Sequence, residues 1–312
     1  MESDVTALAG RSLAFAMMAA VGACSRSVGN QVAPEGSSTE AATTPAMSPP
    51  TWMRGVWTRE WIERKGARSS PLDVHYLQTP DFFADVRIPH DRPAFENAGS
   101  FADLSDADLM LLAKQKGFAG HVRATGDTIT WQHEIDFQPP DGEADIGRVE
   151  RIGSAQMYEH ALDSSYIESW KSVATGEGAF LVIRGTRARR LVHLLVVAGD
   201  HFMYVRNREK DLPNAVPLYS LTHPPHASRA AIIAYLDCEF STGRVRSGSV
   251  PWEIQSSTLP WKTGRRLAIV DSIAVTPDAS QVRISAASTT QWSVPTNTLS
   301  SAALTTIFAH AP

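Results

Sequence analysis

The residues best able to do chemistry in this chain lie on alternating segments, where a two-residue period sends neighbouring side chains to opposite faces. Over residues 131–137, Trp131, His133, Ile135 and Phe137 fall on one face and Gln132, Glu134 and Asp136 on the other, which sets one imidazole among large apolar groups. The same period groups Val74, Tyr76 and Gln78, then Phe83, Asp85 and Arg87, and near residue 170 it groups Tyr166, Glu168 and Trp170. Trp57, Arg59 and Trp61 share a face close to residue 60. These polar faces meet either solvent or each other. If they converge, Arg59, Gln78, Asp85, Arg87, His133 and Glu168 form a desolvated cluster walled by Trp57, Trp61, Tyr76, Trp131 and Trp170. His133 is then a candidate general base, Glu168 its orienting partner and Arg87 the stabiliser of a developing oxyanion, a set suited to dehydration, isomerisation or hydrolysis without a metal. Taken singly, each has a quieter role: Asp85 and Arg87 as a local ion pair, His133 as a hydrogen-bonded core histidine, Glu168 as a solvent-facing carboxylate.

The elements that must position these residues read as strands and turns. Beyond Trp52, short runs of Val, Ile, Thr and aromatic residues alternate in polarity and are punctuated by Gly, Pro, Asn and Asp. Strands are expected near 55–62, 72–79, 82–88, 118–124, 128–137, 145–152, 155–160 and 165–173. A second series is expected near 179–187, 190–198, 201–207, 231–239, 243–247, 251–256, 264–275 and 281–293. Thr125-Gly126-Asp127 and Ala198-Gly199-Asp200 mark tight hairpins. One helix interrupts the first series: Ser105 and Asp108 make a capping box, Leu109 and Leu112 an apolar face, and Gly117 a left-handed stop. About sixteen strands in two groups of eight predict an all-β chain of two successive antiparallel barrels, residues 52–176 and 177–312, with the boundary near Thr175-Gly176-Glu177-Gly178.

Composition narrows the function classes. With 312 residues, 43% hydrophobic, the chain has ample material for a core. The 29 basic residues interleave with 33 acidic ones for a net charge of −4, without the basic field that nucleic-acid binding requires. There is no G-x-S-x-G, H-E-x-x-H or Walker sequence, and no G-x-G-x-x-G after a strand. His223-Pro224-Pro225-His226 brings two histidines close, but the prolines place them in a loop with no further ligand evident, and neither metal nor cofactor is implied. Of the two cysteines, Cys238 reads as an inert core thiol.

The other, Cys24, ends an uncharged apolar run over residues 12–23, about a dozen residues and too short to span a bilayer. Val21-Gly22-Ala23-Cys24 resembles the lipobox of bacterial lipoproteins, which implies cleavage before Cys24 and its lipidation. Glu2 and Asp4 accompany the single basic residue, Arg11, in the segment before it. Residues 25–51 are rich in Ser, Thr, Ala, Gly and Pro and read as a disordered tether. Residues 1–24 are thus expected to be a signal peptide and the body to sit in the cell envelope, held to the membrane by the lipid alone; if the leader is no signal, the body is cytoplasmic. From Glu168 to Arg206, where a strand ending Glu168-Ser169-Trp170 precedes a variable strand and then a pair of apolar strands, the chain resembles the fungal HRI family of two-barrel, lipocalin-like (calycin-like) proteins, with no catalytic motif carried across. The resemblance implies paired lipocalin-like barrels. A small apolar or aromatic ligand bound in the first barrel is the leading expectation, with an enzyme using the same interior and a surface-acting scaffold as alternatives. For the anchor, a Cys24→Ala variant is expected to leave the membrane fraction and to migrate as uncleaved precursor; unchanged fractionation and mobility would contradict lipidation at this residue.

Overall fold

Strand β1 (Gly55–Arg64) is paired on both of its edges along its length, and the first sheet is built from that fact. From β3 (Leu72–Gln78) through β4 (Phe82–Pro89), β5 (Lys116–Thr125), β6 (Thr128–Asp136), β7 (Asp145–Ile152) and β8 (Gln156–Ala161) to β9 (Ile167–Ala174), each strand pairs antiparallel with the next. β9 then returns to β1 and closes an eight-stranded barrel, while β2 (Ala67–Ser69) only extends the hairpin after β1. Closure leaves these eight strands without a free edge. The computed structural model describes residues 47–209, 211–212, 216–221, 227–247, 250–275, 282–285 and 289–308. Cys24 and the His223-Pro224-Pro225-His226 segment lie outside them. The first eight expected strands correspond to β1 and β3–β9, and the β5–β6 turn falls at Gly126-Asp127.

Helix α1 (Asp106–Leu112) carries the expected capping box, with Ser105 Oγ accepting from Asp108 N–H and the Asp108 carboxylate accepting from Ser105 N–H. Leu109 and Leu112 are buried. Gly117, expected to stop this helix, lies instead inside β5, and the helix already ends at Ala113. Its lack of a side chain has a different cause: a Cβ there would come within 2.8 Å of the Phe240 ring from the second sheet.

Among the described residues the second half does not close into the expected second barrel. β10 (Phe180–Arg187), β11 (Arg190–Ala198), β12 (His201–Arg206), β13 (Glu239–Ser247) and β14 (Val250–Ser257), together with β17 (Gln291–Asn297) beside β10, make an open six-stranded antiparallel sheet. Among the described residues no pairing joins its edges, β14 and β17. Helix α2 (Leu218–Leu221) precedes α3 (Arg229–Leu236), which occupies the stretch expected as a strand over 231–239. A short apolar run is ambiguous by periodicity, and here Ser228 decides it by capping the helix at Ala231 N–H. The strand expected over 264–275 is broken by a 3-10 turn at Ala268–Ser272, and among the described residues β15 (Ile273–Val275) pairs only with β16 (Val282–Ile284). Helix α4 (Ser301–Phe308) follows β17.

The open sheet need not curl because both of its faces are covered. On one side Val182, Leu194, Val196, Met203 and Phe240 pack against the barrel's outer wall, including Ala84, Val86, Ile135 and Phe137. On the other, Leu181, Ile183, Leu195 and Phe202 meet Val270, Ile273, Leu304 and Ile307. Polar clamps tie the two sheets together. The Arg208 guanidinium, almost fully buried, donates to the carbonyls of Asp136 (2.8 Å) and Phe137 (2.7 Å) in the barrel and of Tyr235 (2.8 Å) at the end of α3. Cys238, also buried, has its thiol pKa pushed up by burial, in keeping with an inert core residue.

Candidate ligand cavity of the barrel

Two β-bulges decide which side chains enter the barrel. In β1 the register slips between Arg59 and Trp61, with Glu60 as the additional residue. Trp57 and Arg59 point inward, but Trp61 is turned to the outer surface, where it meets Tyr158 and carries the Arg68 guanidinium 3.9 Å above its ring. The expected common face of Trp57, Arg59 and Trp61 is therefore broken at its last member. In β6 the register slips opposite Ala119 and Gly120, leaving Glu134 as the additional residue. A Cβ on Gly120 would lie 2.0 Å from the Gln132 carbonyl oxygen, so only glycine admits the strand at this distance. Past this bulge Ile135 and Phe137 join the outer core, and Asp136 swings inward beside His133. The expected face of Trp131, His133, Ile135 and Phe137 is thus split.

One end of the barrel is filled. Met53, Trp57, Val74, Val122, Ile129 and Val149 pack together there, and Trp57 Nε1 donates to the Met53 carbonyl at 2.8 Å. Above them Trp131 Nε1 donates to Tyr76 Oη at 3.0 Å, and the Tyr76 hydroxyl in turn donates to the fully buried Gln78 amide oxygen. The other end holds a cavity of about 1320 Å³ whose mouth is rimmed by the loops over residues 138–145 and 162–165. Tyr76, Asp85, Arg87, Trp131, His133, Glu168 and Trp170 all line it, whereas Trp57, Arg59 and Gln78 are buried behind its wall and Trp61 lies outside.

The charged groups inside neutralise one another. The Arg59 guanidinium forms a buried ion pair with Glu168. Arg87 grips Asp85 through two hydrogen bonds, Nε to Oδ1 at 2.9 Å and Nη2 to Oδ2 at 3.1 Å, with Glu168 3.9 Å away. Burial opposes its charge, but Asp85 and Glu168 outweigh that effect and hold Arg87 firmly protonated. Glu168 is thus the anion of two guanidinium groups and does not face water.

His133 does not meet Glu168, the orienting partner expected for it. Its Nδ1 lies 2.7 Å from Asp136 Oδ1 and its Nε2 3.0 Å from Asp145 Oδ2. Burial alone would lower the imidazole pKa, but hydrogen bonding to both carboxylates and their charge raise it to about 9. At neutral pH both ring nitrogens therefore donate, and neither carries a lone pair for proton abstraction.

Sequence reasoning missed Glu159, which stands directly opposite Glu168 in the β8–β9 register. Its signal was present: Met157, Glu159 and Ala161 alternate on a strand otherwise apolar on that face. Burial, then the charges of Glu168 and Asp145, raise its pKa to about 8 against the pull of Arg87 and a 3.1 Å hydrogen bond from the Tyr166 hydroxyl. Asp136 was hidden by the bulge, which no periodic reading of residues 131–137 could place. Among the described residues no group of three or more His, Cys, Asp and Glu side chains is arranged to hold a metal ion.

No protein-family model, curated protein or solved structure matches this chain.

Because Glu159 keeps its proton in the folded state up to about pH 8 but loses it near 4.5 when unfolded, its contribution to stability is complete below pH 4.5 and fades as pH rises through 8. Glu159→Gln cannot ionise. The variant is expected to gain about 2 kcal/mol or more on the wild type between pH 5 and pH 8 in denaturant titrations. A constant difference across that range would show that Glu159 is not held protonated.

Proposed function

We propose that the protein is a calycin-like binding protein of the cell envelope, whose barrel holds a small amphipathic or aromatic molecule. The observation that carries this reading is a cavity that side chains leave open at one end of a closed barrel. Its volume of about 1320 Å³ takes in the mouth between the loops as well as the interior, and exceeds the roughly 300–1,000 Å³ common for small-molecule sites. Tyr76, Phe83, Phe118, Trp131 and Trp170 supply aromatic wall, and Asp85, Arg87, Glu159 and Glu168 place polar atoms among them. An apolar body with a polar end suits such a lining better than a purely apolar one.

The binding reading is favoured over the enzyme because the residues cast for catalysis are committed elsewhere: His133 to two aspartates, Glu168 to Arg59, Arg87 to Asp85. A scaffold acting through its surface would be expected to fill its barrel with side chains. The location rests on the lipobox-like Val21-Gly22-Ala23-Cys24 and the tether after it, which would hold the barrel close to a membrane surface.

Native mass spectrometry of the full chain, extracted from its own host in mild detergent, tests the reading. The expected spectrum contains protein carrying a small-molecule adduct that is released by collisional activation. A bare protein mass, persisting after incubation with a host metabolite extract, would overturn ligand binding and favour the surface-acting scaffold.

A further inference from the structure

The cavity of the barrel is not electrically symmetric. Nine acidic side chains line it against four basic ones, His133 counted among the latter. The two basic groups deepest in it are already spoken for, Arg87 by Asp85 and His133 by Asp136 and Asp145, and Arg59 behind the wall is taken by Glu168. Three polar atoms at depth are buried without a partner: the donors Arg59 Nε and Trp170 Nε1, and one acceptor, an oxygen of Glu168. Glu168, 3% exposed, uses Oε1 on Arg59 and leaves Oε2 buried with no partner. Across the β8–β9 register sits Glu159, whose one hydrogen bond comes from Tyr166. Two carboxylates so placed need either a proton or a cation between them. Trp170, 2% exposed, and Trp131 flank the pair and offer ring faces of the kind that attract a positive charge.

We propose, building on the reading of the barrel as a binding cavity, that its ligand is an organic cation, an amine or ammonium on an aromatic or aliphatic body, whose charge is received between Glu159 and Glu168 against Trp170. The ammonium N–H groups donate to Glu168 Oε2 and to the Glu159 carboxylate while the body lies against Trp131, Tyr76 and Phe83. Without ligand, Glu159 carries the proton that keeps the two carboxylates compatible. On binding, that proton leaves Glu159 for solvent and the ammonium takes its place, so charge is conserved within the site. The groups that act on Glu159 are Glu168 on β9, Asp145 on β7, Arg87 on β4 and Tyr166 beside β9, while Asp85, His133, Asp136, Arg64 and Lys116 line the same cavity. Glu159, with its pKa raised to about 8, changes its charge between pH 6 and pH 8.

The test is calorimetric titration of the full chain with three probes of one shape and three charges: tryptamine, its neutral alcohol analogue tryptophol, and indole-3-acetate. Tryptamine is expected to bind at least tenfold more tightly than tryptophol at pH 7.5, and indole-3-acetate not measurably. Its affinity is expected to rise several-fold from pH 6 to pH 8. Titrations in buffers of different ionisation enthalpy should show a fraction of a proton released per ligand. Glu159→Gln, an isosteric change checked for folding by near-UV circular dichroism, should abolish both the proton release and the pH dependence and reduce the preference for tryptamine. Equal binding of tryptamine and tryptophol, or tighter binding of indole-3-acetate, would overturn the cation assignment while leaving the binding cavity intact. Failure of all three probes, together with a bare protein mass from the host, would overturn the binding reading itself.

Discussion

A guanidinium carried into a closed barrel loses most of its hydration, and its charge must be met by a carboxylate within the same small space. Arg59 and Arg87 impose that requirement here, and the arrangement of the interior follows from it. Glu168 answers Arg59 and lies near Arg87, and Asp85 answers Arg87 from two residues away on the same strand face. Glu159 is then the carboxylate in excess, left beside Glu168 without a guanidinium of its own, and it takes up a proton instead. The same accounting governs the imidazole, where two aspartates hold one charge. A barrel whose interior is neutralised in this way can keep polar groups around an unfilled space without collapsing onto them.

The second sheet gives this interior a fixed frame. Its apolar face covers the barrel wall formed by β4, β5 and β6, and the approach is close enough that Gly117 carries the Phe240 ring where any side chain would stand. Two polar contacts reach the bulge of β6 from outside: Arg184 of β10 binds Glu134 at 2.6 Å, and Arg208 holds the carbonyls of Asp136 and Phe137. The bulge turns Asp136 toward His133, so the outer clamps fix an inner contact. The open sheet thus supports the site from behind and contributes no side chain to the cavity's deep wall.

Much of the barrel was legible because its strands are covered on both faces differently, with apolar residues outward against the second sheet and mixed residues inward. On β3 and β4 the two-residue period holds without interruption, and Tyr76, Gln78, Asp85 and Arg87 are all found on the inner face where alternation places them. On β1 and β6 the period fails at Glu60 and Glu134, since a bulge reverses every later side chain and leaves no mark in residue type beyond the glycine it faces. In the second half, strands buried on both faces read as continuous apolar runs, and a run such as residues 230–236 carries no period that separates strand from helix. The partner of His133 was illegible for a related reason, because Asp145 begins a strand paired only after the β6–β7 loop has closed.

The protonation state of His133 bears most directly on the account, since a doubly held imidazolium marks an interior built to neutralise charge and bind, and a free imidazole one built to move protons. Nitrogen-15 NMR of histidine-labelled full-length protein, with the His133 signals assigned by a His133→Gln variant, reads it without assumption. Both ring nitrogens are expected to be protonated at pH 7, with a transition near pH 9. A neutral ring at pH 7, titrating near 6.5 or below, would contradict this and return His133 to the role of a general base.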